Sequence, residues 1–136
     1  MNTHLKNIAI ILISTVIGYA SMGLFITAIQ EWIFNGVSYH KSSLTVLAIA
    51  GLGTFLSAVA GGWIAFKINS YRSKFSNYAM CILVILETTW LINTHRSDNP
   101  IWFEVAAATS LIVGILLGCN IDFFKKDRKS FSAFAS

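Results

Sequence analysis

Residues 50–65 read AGLGTFLSAVAGGWIA, an apolar stretch with small side chains at every fourth position. Drawn as a helix, the stretch carries two neighbouring columns of small residues: Gly53, Ser57, Gly61 and Ala65 in one, and Ala50, Thr54, Ala58 and Gly62 in the other. Small residues at this spacing let helices approach closely inside a bilayer, where lipid provides no hydrophobic drive for helices to associate. The stretch therefore predicts a transmembrane helix that packs tightly against its neighbours.

Apolar segments of this kind make up most of the chain, which has 136 residues, 55% of them hydrophobic and 12% charged. Soluble domains average about 25% charged residues. The predicted spans cover residues 8–29, 44–66, 78–95 and 101–119. Each is close to the ~20 residues that cross a hydrocarbon core. We predict an all-α, four-helix transmembrane bundle that forms a single integral membrane domain over residues 1–136.

The first segment has an alternative interpretation as a cleaved signal peptide, because Lys6 precedes it and small residues follow at Gly18-Tyr19-Ala20-Ser21. Its apolar part continues through Ile29, which exceeds the 7–15-residue core of a signal peptide. A retained membrane anchor is the prediction.

Basic residues predict the orientation of the bundle. Eight of the ten Lys and Arg residues precede the first span, lie between the second and third, or follow the fourth. The positive-inside rule places that side in the cytoplasm, so both termini are predicted to be cytoplasmic. The tail at 120–136 carries Lys125, Lys126, Arg128 and Lys129. We expect these bases to contact anionic lipid headgroups and not nucleic acid.

The fourth segment has a column of small residues of its own: Ala106, Ser110, Gly114 and Gly118. Together with Gly53, Ser57, Gly61 and Gly62 of the second segment, this column predicts close helix packing. The simplest arrangement places the second helix against the fourth. A contact between two copies of the chain is the alternative that the sequence leaves open.

Glu87 is the one charged residue in the apolar run of residues 80–92, MCILVILETTWLI. A carboxylate at the centre of a span costs roughly 2.5–3.5 kcal/mol on insertion scales. The spans contain no Lys, Arg or His deep in the membrane. Desolvation without a cation favours the neutral acid, so Glu87 is expected to be protonated. Three roles stay open: a group that titrates during proton-linked transport, a hydrogen bond fixed inside the bundle, and a contact with a partner subunit.

Two classes of function follow from these roles. The leading interpretation is a non-enzymatic accessory or assembly subunit, in a homo-oligomer or a larger membrane complex, with Glu87 as a buried polar contact. The alternative is a small proton-linked transporter or channel in which Glu87 titrates. Such a path would be lined by polar residues of the spans: Ser14, Tyr19, Ser57, Thr88 and Thr94. Nothing in the sequence resembles a nucleophile elbow, a phosphate-binding glycine loop or an HExxH helix.

The outer end of the bundle gathers residue types that bind divalent cations: Glu31, His40, His95, Asp98 and Glu104. No two of these lie four residues apart, as in the HxxxH pattern of metal ligands on a helix, so we predict solvated loop residues and no metal site or cofactor. Glu104, in the first turn of the fourth helix, is expected to complement the helix dipole.

The Gly-rich stretch at 50–65, with its paired glycine, and the Asn99-Pro100-Ile101-Trp102-Phe103 start of the last span resemble a loosely defined group of small bacterial four-span proteins of unknown function. In that group the first outer loop is longer and a His precedes the proline, where this chain has Asn99. The resemblance implies a bacterial inner membrane and the same architecture, and it implies no activity.

The chain is also similar in length and span number to small multidrug-resistance transporters. Their essential acidic residue lies in the first helix, whereas this chain has none there and carries Glu87 in the third. That departure argues against a drug/proton antiporter.

Overall fold

The structure is a computed structural model that describes residues 2–69 and 74–135, with the side chains of residues 122–131 excepted. Its helices are α1 Thr3–Thr27, α2 Leu44–Ile68, α3 Phe75–Asn93 and α4 Ile101–Ala135. All four pack together, and each is long and apolar enough to span a membrane. The prediction of an all-α bundle of four potential transmembrane helices is confirmed.

The helix bounds differ from the predicted spans: α1 begins earlier, α2 ends two residues later, α3 starts at 75 and ends at 93 instead of 78 and 95, and α1 and α4 extend furthest beyond the prediction. α1 continues into a π-helical segment, Ala28–Ile33, where the prediction ends at residue 29. α4 contains both the predicted span 101–119 and the predicted tail, because the helix runs without a break to Ala135. Within it, Ile101–Ile121 is long and apolar enough to span a membrane. The side chains of Lys125, Lys126, Arg128 and Lys129 lie outside the described residues.

The bundle has two ends, which we name from the predicted orientation. The inner end is where α1 begins and α4 ends, and the outer end carries the connections at residues 34–43 and 94–100. At the outer end the π-helical segment gives way to Asn35 and Gly36, whose φ angles are 52° and 89°. The Gly36 N–H donates to the Gln30 carbonyl at 2.8 Å. This tight turn directs the first outer connection back over the end of the bundle.

α2 is the central helix, and its two columns of small residues pack against different neighbours. Gly61 lies against α1: a Cβ added there would be 2.7 Å from Met22 Cβ and 2.9 Å from the Gly18 carbonyl oxygen. Gly62 lies against α4, where an added Cβ would be 2.4 Å from the Ile115 carbonyl oxygen. The columns therefore let α2 approach two helices at once, α1 antiparallel and α4 parallel.

The close contact between α2 and α4 occupies the inner half of the bundle. A Cβ on Gly114 would be 2.7 Å from Ala58 Cβ, and one on Gly118 would be 2.3 Å from the Val59 carbonyl oxygen. Gly53, nearer the outer end of α2, instead faces Ile29 of the π-helical segment. α2 and α4 are therefore in close contact in the inner half of the bundle, whereas a cavity separates them in the outer half.

α3 completes the core from the other side of the bundle. Met80 and Val84 are buried with Met22 of α1 and Ile115 of α4. One polar residue belongs to the same buried face: Asn77 is fully buried, and its amide group donates to carbonyl oxygens of two other helices. This face fixes the rotation of α3 about its own axis, and so decides where Glu87 points.

Candidate functional site

Glu87 lies on the surface of α3 that faces away from the bundle. Its side chain is exposed, as are Leu83, Leu86 and Trp90 around it, which are 39%, 60% and 53% exposed. The buried stripe of α3 passes through Val84 and continues at helical spacing to position 88, one residue beyond the glutamate. The carboxyl is therefore exposed at the surface of α3 within this chain.

The partner of Glu87 is Tyr19 of α1, whose hydroxyl group donates a hydrogen bond to Glu87 Oε2. Tyr19 is half-buried and stands near the middle of the apolar helix Thr3–Ile33. It follows Gly18, where an added Cβ would be 3.0 Å from Met80 Sδ of α3. The Tyr19 hydroxyl and the Glu87 carboxyl therefore meet near the middle of their helices, at the exposed edge of the contact between α1 and α3.

The hydrogen bond from Tyr19 offsets only part of the cost of placing this carboxyl in hydrocarbon. Insertion scales put an acidic residue at the centre of a span at roughly 2.5–3.5 kcal/mol. Interhelical hydrogen bonds in membranes average about 0.6 kcal/mol and reach about 1.7 kcal/mol. About 1–3 kcal/mol remains uncompensated within the isolated chain. A polar group from outside the described residues would stabilise Glu87 by supplying the difference.

The other residues of the predicted polar path do not join this pair. Ser14, Ser57 and Thr94 each donate to a carbonyl of their own helix, at 3.0, 2.8 and 2.8 Å. The two serines are buried inside the bundle, whereas Thr94 is exposed at the end of α3. Thr88 is half-buried and adjacent to Glu87. Among the described residues, Tyr19 alone hydrogen-bonds the carboxyl.

Asn77 is a buried polar residue that was not predicted from the sequence. Its Nδ2 donates to the carbonyl oxygens of Gly62 at 2.9 Å and Ile115 at 3.3 Å, joining α3 to α2 and α4. Close by, Thr15 Oγ1 lies 3.5 Å from the carbonyl oxygen of Ser76, which is also fully buried. The third span was predicted to begin at residue 78, so Asn77 fell just outside it. The available signal was a pair of polar residues directly before an apolar run.

The outer histidines and carboxylates are dispersed over several contacts. His40 Nε2 is 2.9 Å from the Asp98 carbonyl oxygen, a backbone group. Glu104 accepts hydrogen bonds from Ser97 Oγ and from Asn99 Nδ2. Glu31 and His95 are exposed elsewhere on this end. Among the side chains that the structure describes, no group of three or more His, Cys, Asp or Glu residues is arranged to hold a metal ion.

Comparisons with known proteins identify no family for this chain. No family model matches the sequence, and neither the curated proteins nor the solved structures include a significant match. The conclusion that sequence and geometry support is a small four-span integral membrane protein, with a Glu–Tyr pair exposed at mid-span.

Proposed function

We propose that this chain is a non-enzymatic subunit of a membrane protein complex, and that a transmembrane helix of its partner covers the Glu87–Tyr19 pair. The observation that carries the proposal is the exposure of Glu87 on the surface of α3, with one described hydrogen bond. A carboxyl that faces lipid is costly, and its cost falls when a polar group of another subunit meets it.

The partner helix must bring a hydrogen-bond donor or a cation to the depth of Glu87. It must also cover apolar surface, because the exposed residues that flank the pair on α1 and α3 are large: Val16, Leu83, Leu86 and Trp90. The apolar area of such a face stabilises the contact, and its one polar group fixes the register of the two helices. A second copy of the chain and a different membrane protein both satisfy this requirement.

Substitution of Glu87 tests the proposal, with gentle-detergent purification and native mass spectrometry as the readout. Glu87→Leu removes the polar group and is expected to reduce the amount of bound partner or oligomer at least about tenfold, the equivalent of ~1.4 kcal/mol. The isolated chain is expected to keep its stability or gain some, because an apolar side chain is favoured at a lipid-exposed position. Thr89→Leu is the matched control, since Thr89 is exposed on α3 and bonded to its own helix.

Retention of every partner and of the oligomeric mass in Glu87→Leu would contradict the proposal. The alternative is a proton-linked transporter. It predicts that Glu87→Gln would abolish proton-coupled flux in proteoliposomes while assembly stays intact. Neither of the two described cavities is lined by Glu87. The subunit therefore has the better structural support.

A further inference from the structure

A cavity of about 420 Å³ opens between α2 and α4 at the outer end of the bundle. It begins where the close glycine contacts of these helices stop. The outer members of the same columns line it, Ala50 and Thr54 from α2 and Ala106 and Ser110 from α4. Their short side chains leave the space open, so the columns that give close packing in one half of the bundle give a cavity in the other half.

The roof of the cavity is the first outer connection, which is held in place by contacts with the α3–α4 turn and with α4. His40 Nε2 lies 2.9 Å from the Asp98 carbonyl oxygen. The Tyr39 ring packs on Phe103, with 5.2 Å between ring centroids, and edge-on to Trp102 at 5.7 Å. Tyr39 and Phe103 both line the cavity, which is therefore preformed and aromatic at its mouth.

Glu104 gives the mouth of the cavity a negative group that no described cation neutralises. Its Oε1 accepts from Ser97 Oγ and Asn99 Nδ2, and both donors are uncharged. Of the Lys and Arg residues that the structure describes at the outer end, Lys41 lines a separate cavity and Arg96 lies over the Trp90 ring. The two neutral donors orient the carboxylate while leaving its charge available to a ligand.

The deep end of the cavity is small and weakly polar. Gln30 Nε2 donates to Thr54 Oγ1 at 3.4 Å, and Ser110 lies on the facing helix. Along α4, Glu104 and Ser110 are separated by about 9 Å of helix rise. A ligand that spans the cavity therefore has a cationic group at one end and a body of roughly this length that makes mostly apolar contacts.

We propose that this cavity binds an organic ammonium ion, with its charged head between Glu104 and the aromatic rings and its apolar body between α2 and α4. A carboxylate supplies the opposite charge, and aromatic faces attract ammonium groups within about 6 Å of the ring centroid. An ammonium of this kind is found in a free amine and in the headgroup of an ethanolamine lipid. Neither Glu87 nor Tyr19 lines this cavity, and the proposal stands independently of the proposed function.

Binding of benzyltrimethylammonium to the full chain in phosphatidylglycerol nanodiscs tests this proposal, with calorimetry as the readout. Saturable binding is expected, and the neutral carbon isostere neopentylbenzene should bind at least about tenfold more weakly. Glu104→Gln keeps an acceptor for Ser97 and Asn99 but removes the charge, and should weaken the ammonium at least about tenfold. Glu31→Gln, on the separate outer cavity, is the matched control and should bind as the original chain does.

Ser110→Leu provides a second test, because the larger side chain fills the cavity without touching the carboxylate. It should abolish binding while circular dichroism and detergent stability show an intact bundle. Equal binding by the original chain and Glu104→Gln, equal binding of the isostere, or no saturable binding would overturn the proposal. Nanodiscs that contain phosphatidylethanolamine separate the two ligand sources: competition that depends on Glu104 identifies the lipid headgroup, and its absence identifies a free amine.

Discussion

Glu87 and Asn77 are polar residues ten positions apart on one helix, and they differ in burial and in hydrogen bonding. Asn77 is fully buried and bonded to carbonyl groups of two other helices. Glu87 is exposed, with a single described bond to Tyr19. An amide that is buried among helices stabilises the fold of one chain, whereas a lipid-facing carboxyl is stabilised when a polar group of another chain contacts it.

Asn77→Ala is expected to lower the free energy of unfolding by about 1–3 kcal/mol, because it removes two interhelical hydrogen bonds and leaves a small cavity. Unfolding in mixed micelles with increasing dodecyl sulfate measures the change. Asn93→Ala is the control, since Asn93 is exposed at the end of the same helix. Equal losses in the two variants would show that Asn77 does not clamp the bundle.

The sequence identified Glu87 as an unusual carboxyl within an apolar run. It did not predict which surface of α3 carries this side chain. Tyr19 was one of five polar residues predicted to line a path to Glu87, and the sequence did not single it out as the hydrogen-bond partner. The exposure of Glu87 was not predicted, because α3 has no stripe of small residues and its rotation is set by Asn77, Met80 and Val84 together. Such a rotation depends on contacts between helices, which periodicity within one helix does not fix.

At the scale of helices, α2 organises the bundle through two adjacent faces. The contact with α4 was predicted from the columns of small residues, and the structure places Gly62, Gly114 and Gly118 in it. The contact with α1 was not predicted, although the second column on α2 was visible in the sequence. α1 contributes Gly18 without a long column of its own, so it gave a weaker signal.

Gly62→Ala is expected to destabilise the bundle by about 1–3 kcal/mol, because the new methyl group would meet the Ile115 backbone and the helices must separate. Gly51→Ala, on the same helix, adds a methyl group with no atom within 4 Å. It should be neutral, or stabilise by up to about 1 kcal/mol through helix propensity. Detergent unfolding of the two variants measures the difference, and similar stabilities would contradict the assigned contact.

For the whole molecule, the number of helices followed directly from the apolar segments, and the predicted sidedness rests on the distribution of Lys and Arg. The lengths of α1 and α4 were underestimated, since helical structure continues past the apolar residues at their ends. Hydropathy reports where a helix meets hydrocarbon and gives no information on where the helix stops.

The predicted orientation can be measured with single cysteines in a chain whose native Cys81 and Cys119 are replaced by alanine. Asp98→Cys lies on the outer connection and should react with a membrane-impermeant maleimide on intact cells. Asn2→Cys, before α1, should react only after the membrane is permeabilised. The opposite pattern would show that the termini face outward.

The parallel contact between α2 and α4 also sets the order in which the chain can assemble. α1 and α2 can pair as soon as both are inserted, whereas the α2 face that carries Gly62 waits for the last helix to be synthesised. During that interval a fourth helix from a neighbouring nascent chain presents the same glycines to the same face. Exchange of α4 between two chains would reproduce every native contact of this face, so a swapped dimer is the characteristic assembly error of this architecture.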